Sequence, residues 1–384
     1  MNHENNPAWR GWQRPALVCG SAGVILASAL GIWEPASFFR AYLTVFNFCL
    51  GIPLGCLAIL LLHQLTGGVW GYALRPILHA AAATIPVLGL LFVPLLFSLP
   101  ILYPWARADE VAADPLLQHR SIYLNTTAFT IRAVVYFAIW SSIGLMLLRQ
   151  LPPPGAPDHE EAARRQRSLS GPALLLYGLS ITLASIDWLM SLQSHWYSTI
   201  FPVIVAVGQV LSAFAFAIAV LGMSANPSEA KEVVAPETFQ NLGSLLLAFV
   251  MLWAYVAFAQ FLLVWAGNLP EEIEWYQPRL EGGWQGIALV LLVFQFALPF
   301  LFLLSRDVKR NPRLLALLAA FVLFLHFVEL VWLVIPAFPP EGMAAHLVDL
   351  IAAVLLLAGL GGIWAALFLH QLKNRLGSLS EAQA

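Results

Sequence analysis

Charge is what this chain has least of. Of its 384 residues only 10% are Asp, Glu, Lys or Arg, while 60% are hydrophobic; a soluble domain carries about 25% charged residues. So apolar a surface cannot face water throughout, and the chain is read as an integral membrane protein. The net charge of -2 excludes the basic surface that nucleic acid binding requires. Cysteine is scarce too: Cys19, Cys49 and Cys56 all lie inside apolar runs, with no disulfide framework and no CxxC or CxxCH spacing. Cys49 and Cys56 are seven residues apart, on one face of a helix, where packing is the expected role. Also missing are a P-loop, a GxGxxG following a strand, an HExxH and a nucleophile elbow, which excludes the common nucleotide-binding and soluble hydrolase chemistries.

What the chain does have is long apolar runs. A helix needs about 20 such residues to cross the hydrocarbon, and ten runs meet that length: 16–33, 41–63, 76–99, 122–148, 172–192, 197–222, 240–266, 284–305, 313–335 and 343–369. They are too long for barrel strands and do not alternate, so an all-α fold of ten transmembrane helices is expected. The first run follows Arg10 and Arg14 and continues to Trp33, which suits a span better than a leader cut after Ala27-Ser28-Ala29. Residues 1–15 and 370–384 are then terminal segments flanking a membrane domain of 16–369.

Ten crossings place both termini on one side. Of 19 Lys and Arg, 14 fall on that side: Arg10, Arg14, Arg75, Arg149, Arg164, Arg165, Arg167, Lys231, Arg306, Lys309, Arg310, Arg313, Lys373 and Arg375. Only Arg40, Arg107, Arg120 and Arg279 fall on the other, and Arg132 lies within the fourth span. The positive-inside rule therefore predicts cytoplasmic termini. On this reading residues 150–171, which include LPPPGAPDHEEAARRQRS, form a cytoplasmic linker, and 100–121 and 267–283 are outer loops. The second of these carries Glu271, Glu272, Glu274 and Glu281 beside Trp275 and Tyr276, a composition suited to an interfacial belt or a partner surface.

Charged groups at membrane depth are costly, and they face the bundle interior, pair, or line a pathway. The candidates are few. Asp187 lies close to the outer end of the fifth span, and His195 follows in the next turn. His326 and Glu329 share a face of the ninth span, and His346 and Asp349 do so at the start of the tenth, at similar depth. These pairs are expected near one another and close to Asp187. Arg132 is expected near mid-depth, seeking a carboxylate or helix carbonyls. A second group, His63 and His79 with Arg75, lies toward the cytoplasm. Three readings stay open: interhelical packing contacts, a proton relay of carboxylates and imidazoles, and haem ligation by His63 with His79 or His326 with His346. An acid three residues from each outer His suits a relay at least as well as a ligand. Pro53, Pro86, Pro94, Pro202 and Pro299 lie within spans, where kinks free carbonyls and make room for water or a lipid-like ligand.

Three stretches carry a family resemblance: SIDWLMSLQSHWYSTIF (185–201), NLPEEIEWYQPRLEGGW (268–284) and LLSRDVKRNPRLL (303–315). With FRAYLTVFNFCLGIPLGCLAILLLHQLTGG (39–68) and the ten-span pattern, nearly the whole chain resembles the F-subunit family of alternative complex III, the quinol:cytochrome c oxidoreductase, within the NrfD/PsrC-like membrane subunits. The resemblance implies two four-helix bundles plus two peripheral helices in a bacterial cytoplasmic membrane. It implies a homologous C-type membrane subunit, an iron-sulfur subunit and multihaem cytochrome c subunits as partners. It also implies a part in quinone binding or proton conduction, with no haem or cluster held by this chain and a quinone as the small molecule in view. Two other classes remain: a stand-alone proton-coupled transporter and a structural anchor for peripheral electron-transfer subunits.

Overall fold

The computed structural model of the chain describes residues 11–68, 70–149, 159–224, 235–340 and 342–381. Ten of its helices are long and apolar enough to cross a membrane: α1 (Gln13–Trp33), α2 (Pro35–Thr66), α3 (Trp70–Phe97), α4 (Thr126–Leu148), α5 (Arg164–Leu192), α6 (Phe201–Ser224), α7 (Pro236–Gly267), α8 (Trp284–Leu304), α9 (Pro312–Ala337) and α10 (Met343–Leu376). The described residues contain no strand, so the chain is an all-α, multi-pass membrane protein. Arg10, Lys231, residues 150–158 of the expected linker and the outermost residues of both terminal segments lie outside the described residues.

Several boundaries differ from those read off hydropathy, each for a local reason. Glu34 alone separates α1 from α2, because Pro35 occupies the first helical turn, where its fixed φ and missing N–H are no handicap. The helix containing α5 begins at His159, so 159–171 is helical and not an irregular linker; its Ala, Glu, Arg and Gln are strong helix formers. α3 is regular only to Ala82, after which Pro86 and Pro94 each sit in the first turn of a new short segment. α8 passes through a wide π-type stretch, Leu291–Ala297, just before Pro299. The two expected outer loops contain single turns of helix, at Ala108–Ala113 and Pro115–Arg120 in one and at Pro270–Ile273 and Gln277–Leu280 in the other.

Packing sorts the helices into two groups of four. α2 packs on α3 and α5, and α4 on α3 and α5; α6 packs on α7 and α9, and α8 on α7 and α9. The bundles meet chiefly through α2 and α6, whose most apolar windows are 94% and 83% buried. α1 and α10 form the remaining pair, held at close range by a glycine seam: a Cβ on Gly23 would lie 2.6 Å from the Gly359 nitrogen. α10 in turn packs on α2 and α3. Since α1 and α10 are antiparallel neighbours, both ends of the described chain share one face, opposite the 98–125 and 268–283 segments.

Candidate functional site

Three buried acids sit among the helices, and their surroundings differ. Asp187, near the end of α5, is fully enclosed. Arg132 of α4 holds it by two parallel bonds, from Nε to Oδ2 at 2.8 Å and from Nη2 to Oδ1 at 2.9 Å, and the Tyr136 hydroxyl donates to Oδ2 at 2.8 Å. The guanidinium also donates to the Tyr123 carbonyl at 2.8 Å and lies 3.8 Å from the centre of the Tyr123 ring. This fork-to-fork geometry satisfies both charges at once. α4 begins at Thr126, so Arg132 lies roughly 9 Å into the helix at 1.5 Å per residue. That is short of the expected mid-depth, because the segment before Thr126 folds as turns over the bundle end.

His195 does not join Asp187. Its Nε2 lies 2.5 Å from Oδ2 of Asp114, and the ring is half exposed. Asp114 also accepts from the Leu116 and Leu117 amides as the N-cap of the short helix Pro115–Arg120. Desolvation pushes its carboxyl up, yet the Leu116 amide, His195 and the Leu117 amide together hold it below the ordinary carboxylate value. His195 is therefore a surface tether between two loop segments.

Asp349 lies in the first turns of α10 and joins it to α2. Its Oδ2 is bonded to Nδ1 of His346 and lies 3.5 Å from Nη1 of Arg40, and the ring of Phe338 covers that guanidinium at 4.9 Å. The expected His-x-x-acid pairing holds here, with Arg40 as an added cation that sequence reasoning had counted only as a loop charge.

Glu329 on α9 has no such cation. Its Oε1 accepts from Nε1 of Trp253 on α7 at 2.7 Å, and its Oε2 accepts from Nε2 of Gln295 on α8 at 2.7 Å and meets Nδ1 of His326 at 2.9 Å. All four side chains are buried, and among the described residues no Lys or Arg reaches Glu329. Gln295 is presented by the π-type stretch of α8, and its Oε1 has no partner. His326 fits because α6 carries Gly208 opposite it: a Cβ there would stand 2.8 Å from Cε1. A small cavity of ≈ 10 Å³ adjoins the pair, lined by Asn47 of α2, Leu189 of α5 and Gln209 of α6, and thus touched by both bundles. That is about the room of one water, and the polar lining suits one. Gln209 continues the polar line to the Tyr177 hydroxyl, which donates to its Oε1 at 3.3 Å.

Chemically, these centres are not equivalent. Both carboxylate oxygens of Asp187 are taken by Arg132 and Tyr136, so any other donor would have to displace one of them. Among the described residues Glu329 has no Lys or Arg partner, and its neighbours are an indole, an amide and an imidazole.

No family model matches this chain, and no curated protein matches it.

The inner histidines stand apart from all three acids. Nε2 of His63 bonds the Gly68 carbonyl at 2.9 Å, and Trp70 and Tyr72 lie edge-on to its ring. Gly71 presses on the same ring, where a Cβ would come within 2.1 Å. Nδ1 of His63 is buried with no partner. His326 and His346 are each bonded through Nδ1 to their own acid, Glu329 and Asp349. Among the described residues no group of three His, Cys, Asp or Glu converges as metal ligands would. Nor does Asp187 belong to the Glu329 cluster: each acid has its partners within its own bundle.

Sequence reasoning missed the donors around Glu329. Gln295 was the one findable member, since it is the single polar residue in LLVFQFALPF. It also missed Arg279, counted as an outer charge but only 1% exposed. Arg279 donates to the Gln193 side chain at 2.8 Å and to the Trp275 and Leu333 carbonyls at 2.5 and 2.6 Å, and lies over the Trp275 ring. Burial pushes its guanidinium down to about 9, still charged at neutral pH. It clamps the 268–283 segment onto α9, one turn from Glu329.

Proposed function

We propose that this chain is a proton-transferring membrane subunit of a respiratory quinol:acceptor oxidoreductase, with Glu329 and His326 as the exchanging pair. The observation that carries the reading is a buried carboxylate with three neutral or titratable donors and no fixed cation, beside a water-sized polar cavity shared by both bundles. Ionisable groups kept at membrane depth without permanent neutralisation serve proton relays. The resemblance of 185–201, 268–284 and 303–315 to the F-subunit family supports the respiratory setting. On that basis the partners are a C-type membrane subunit and iron-sulfur and multihaem cytochrome c subunits. The Lys and Arg distribution supports cytoplasmic termini, and the family resemblance supports a bacterial inner membrane.

Transport is the weaker reading. Repeat-built transporters break helices at corresponding positions of their two halves. Here the interrupted helix is second in one bundle, α3, and third in the other, α8. Quinone binding at Asp187 is also less favoured, because both carboxylate oxygens are committed to Arg132 and Tyr136.

The test is Glu329→Gln in the complex purified with mild detergent and reconstituted in vesicles. We expect co-purification of haem and iron-sulfur subunits at normal stoichiometry, with quinol-driven proton movement reduced at least about tenfold, the loss expected of a missing proton-transfer group. Normal electron transfer with normal coupled proton movement would sink the proposal.

A further inference from the structure

A separate cavity of ≈ 210 Å³ opens on the face opposite the chain ends, between the Pro115–Arg120 helix, the turn leading into α4 and the last turns of α5. Its wall is apolar, formed by Ile122, Leu124, Ile186, Met190 and Trp196, with Tyr197 at its edge. Arg120 and His119 are the basic groups of its lining, and no carboxylate lines it. Arg120 is held at the rim by donating through Nη1 to the Ser194 carbonyl.

The polar groups available to a ligand are few. Ser191 and Ser194 spend their hydroxyls on the carbonyls of Asp187 and Ser191. Tyr123 has one ring face on Arg132. What remains is the Arg120 guanidinium, the His119 imidazole and the Tyr197 hydroxyl; the Trp196 indole N–H has no acceptor within the protein but is itself buried. These groups lie together at the rim, and the apolar wall offers no second, opposed partner for the far oxygen of a quinone ring. An acyl chain needs none. The groove also opens where α4 begins and α5 ends, beside Ile122, 88% exposed, and Tyr197, 69% exposed, at the level where aromatic and basic residues meet lipid headgroups.

We infer that this cavity holds one acyl chain of an anionic phospholipid, whose phosphodiester is held at the rim by Arg120 and His119. The site is independent of the proton-transfer reading, since it shares no side chain with the Glu329 cluster.

The test is native mass spectrometry of the full chain, delipidated and then titrated with phosphatidylglycerol or phosphatidylcholine of identical acyl chains. The expected result is retention of one phosphatidylglycerol with about a fivefold preference over phosphatidylcholine, the ratio that one surface arginine confers. Ile186→Trp, which fills the cavity, should lower retention of both lipids. Arg120→Gln should abolish the preference and Arg120→Lys restore it, each at an unchanged melting temperature, which separates headgroup recognition from a merely structural role. Equal retention of both lipids by the wild type would overturn the inference, and so would undiminished phosphatidylglycerol retention in a folded Ile186→Trp. If Ile186→Trp fails to fold, the Arg120 pair decides alone. Protection of the Ile122 region that needs a partner subunit and ignores lipid would assign the groove to protein and also overturn it.

Discussion

The two bundles each bury an acid near the same face and treat it in opposite ways. In the α2–α5 bundle Asp187 receives a bidentate arginine, a tyrosine hydroxyl and an aromatic surround that includes Trp140 and Trp188. In the α6–α9 bundle Glu329 receives an indole, an amide and an imidazole. Asp349, at the α2–α10 junction, resembles the first case, with Arg40 as its cation. Two of the three acids thus face an arginine, and the third has only an indole, an amide and an imidazole beside it. Position in a span does not separate these acids; the identity of the groups around each one does.

The largest effect should come from breaking the locked pair. Arg132→Leu leaves Asp187 buried with no countercharge, and a loss of about 3–5 kcal/mol is expected, read as a fall in melting temperature and in yield from membranes. Adding Asp187→Leu should recover much of it. If Arg132→Leu alone leaves stability unchanged, the distinction between the two bundles fails.

Next in size is a steric probe of the second bundle. Gly208→Ala places a Cβ 2.8 Å from Cε1 of His326, so the imidazole or α6 must shift. A cost of about 1–3 kcal/mol is expected, together with a loss of proton movement out of proportion to the loss of stability. A variant equally stable and equally active would show that the His326 position is not critical.

Glu329→Gln should be smaller still in stability, within about 1 kcal/mol. Trp253 keeps an acceptor, and Gln295 can turn its unpartnered Oε1 toward the new amide. A large destabilisation with no selective effect on proton movement would make Glu329 another structural acid and erase the contrast.

The smallest effect concerns the tether at the surface. The Asp114 carboxyl is held below its ordinary value of 3.8, so its contribution is complete above that pH and is lost as pH falls through the lower folded value. Hydrogen exchange of the Leu116 and Leu117 amides should therefore show protection that is flat above about pH 4 and falls below it. His195→Ala should speed that exchange at neutral pH without altering the Arg132–Asp187 pair. Exchange that ignores both pH and the His195 substitution would remove the tether.

Much of the architecture could be read from hydropathy, because a span must satisfy its backbone internally and be apolar for about 20 residues. The His326/Glu329 and His346/Asp349 pairs were legible too, since three-residue spacing puts both groups on one helix face. Interhelical partners were not. Arg132 could have met any carboxylate, and its choice of Asp187 depends on α4 and α5 lying side by side. Nothing in the sequence around Arg279 marks it as buried; it is enclosed because Gln193, Trp275 and Leu333 come together from three distant segments. The helical 159–171 segment and the π-type stretch of α8 were hidden for another reason: hydropathy reports burial in lipid and is blind to how the backbone hydrogen bonds are phased.

By itself, then, the sequence determined that the chain is helical and membrane-embedded in ten spans, and which few polar side chains lie at membrane depth. Composition and local spacing carry those properties. The tertiary structure alone decided which acid meets an arginine and which meets only donors that can share a proton. That choice turns on contacts between helices far apart in the chain, where a shift of one helical turn would exchange one partner for another.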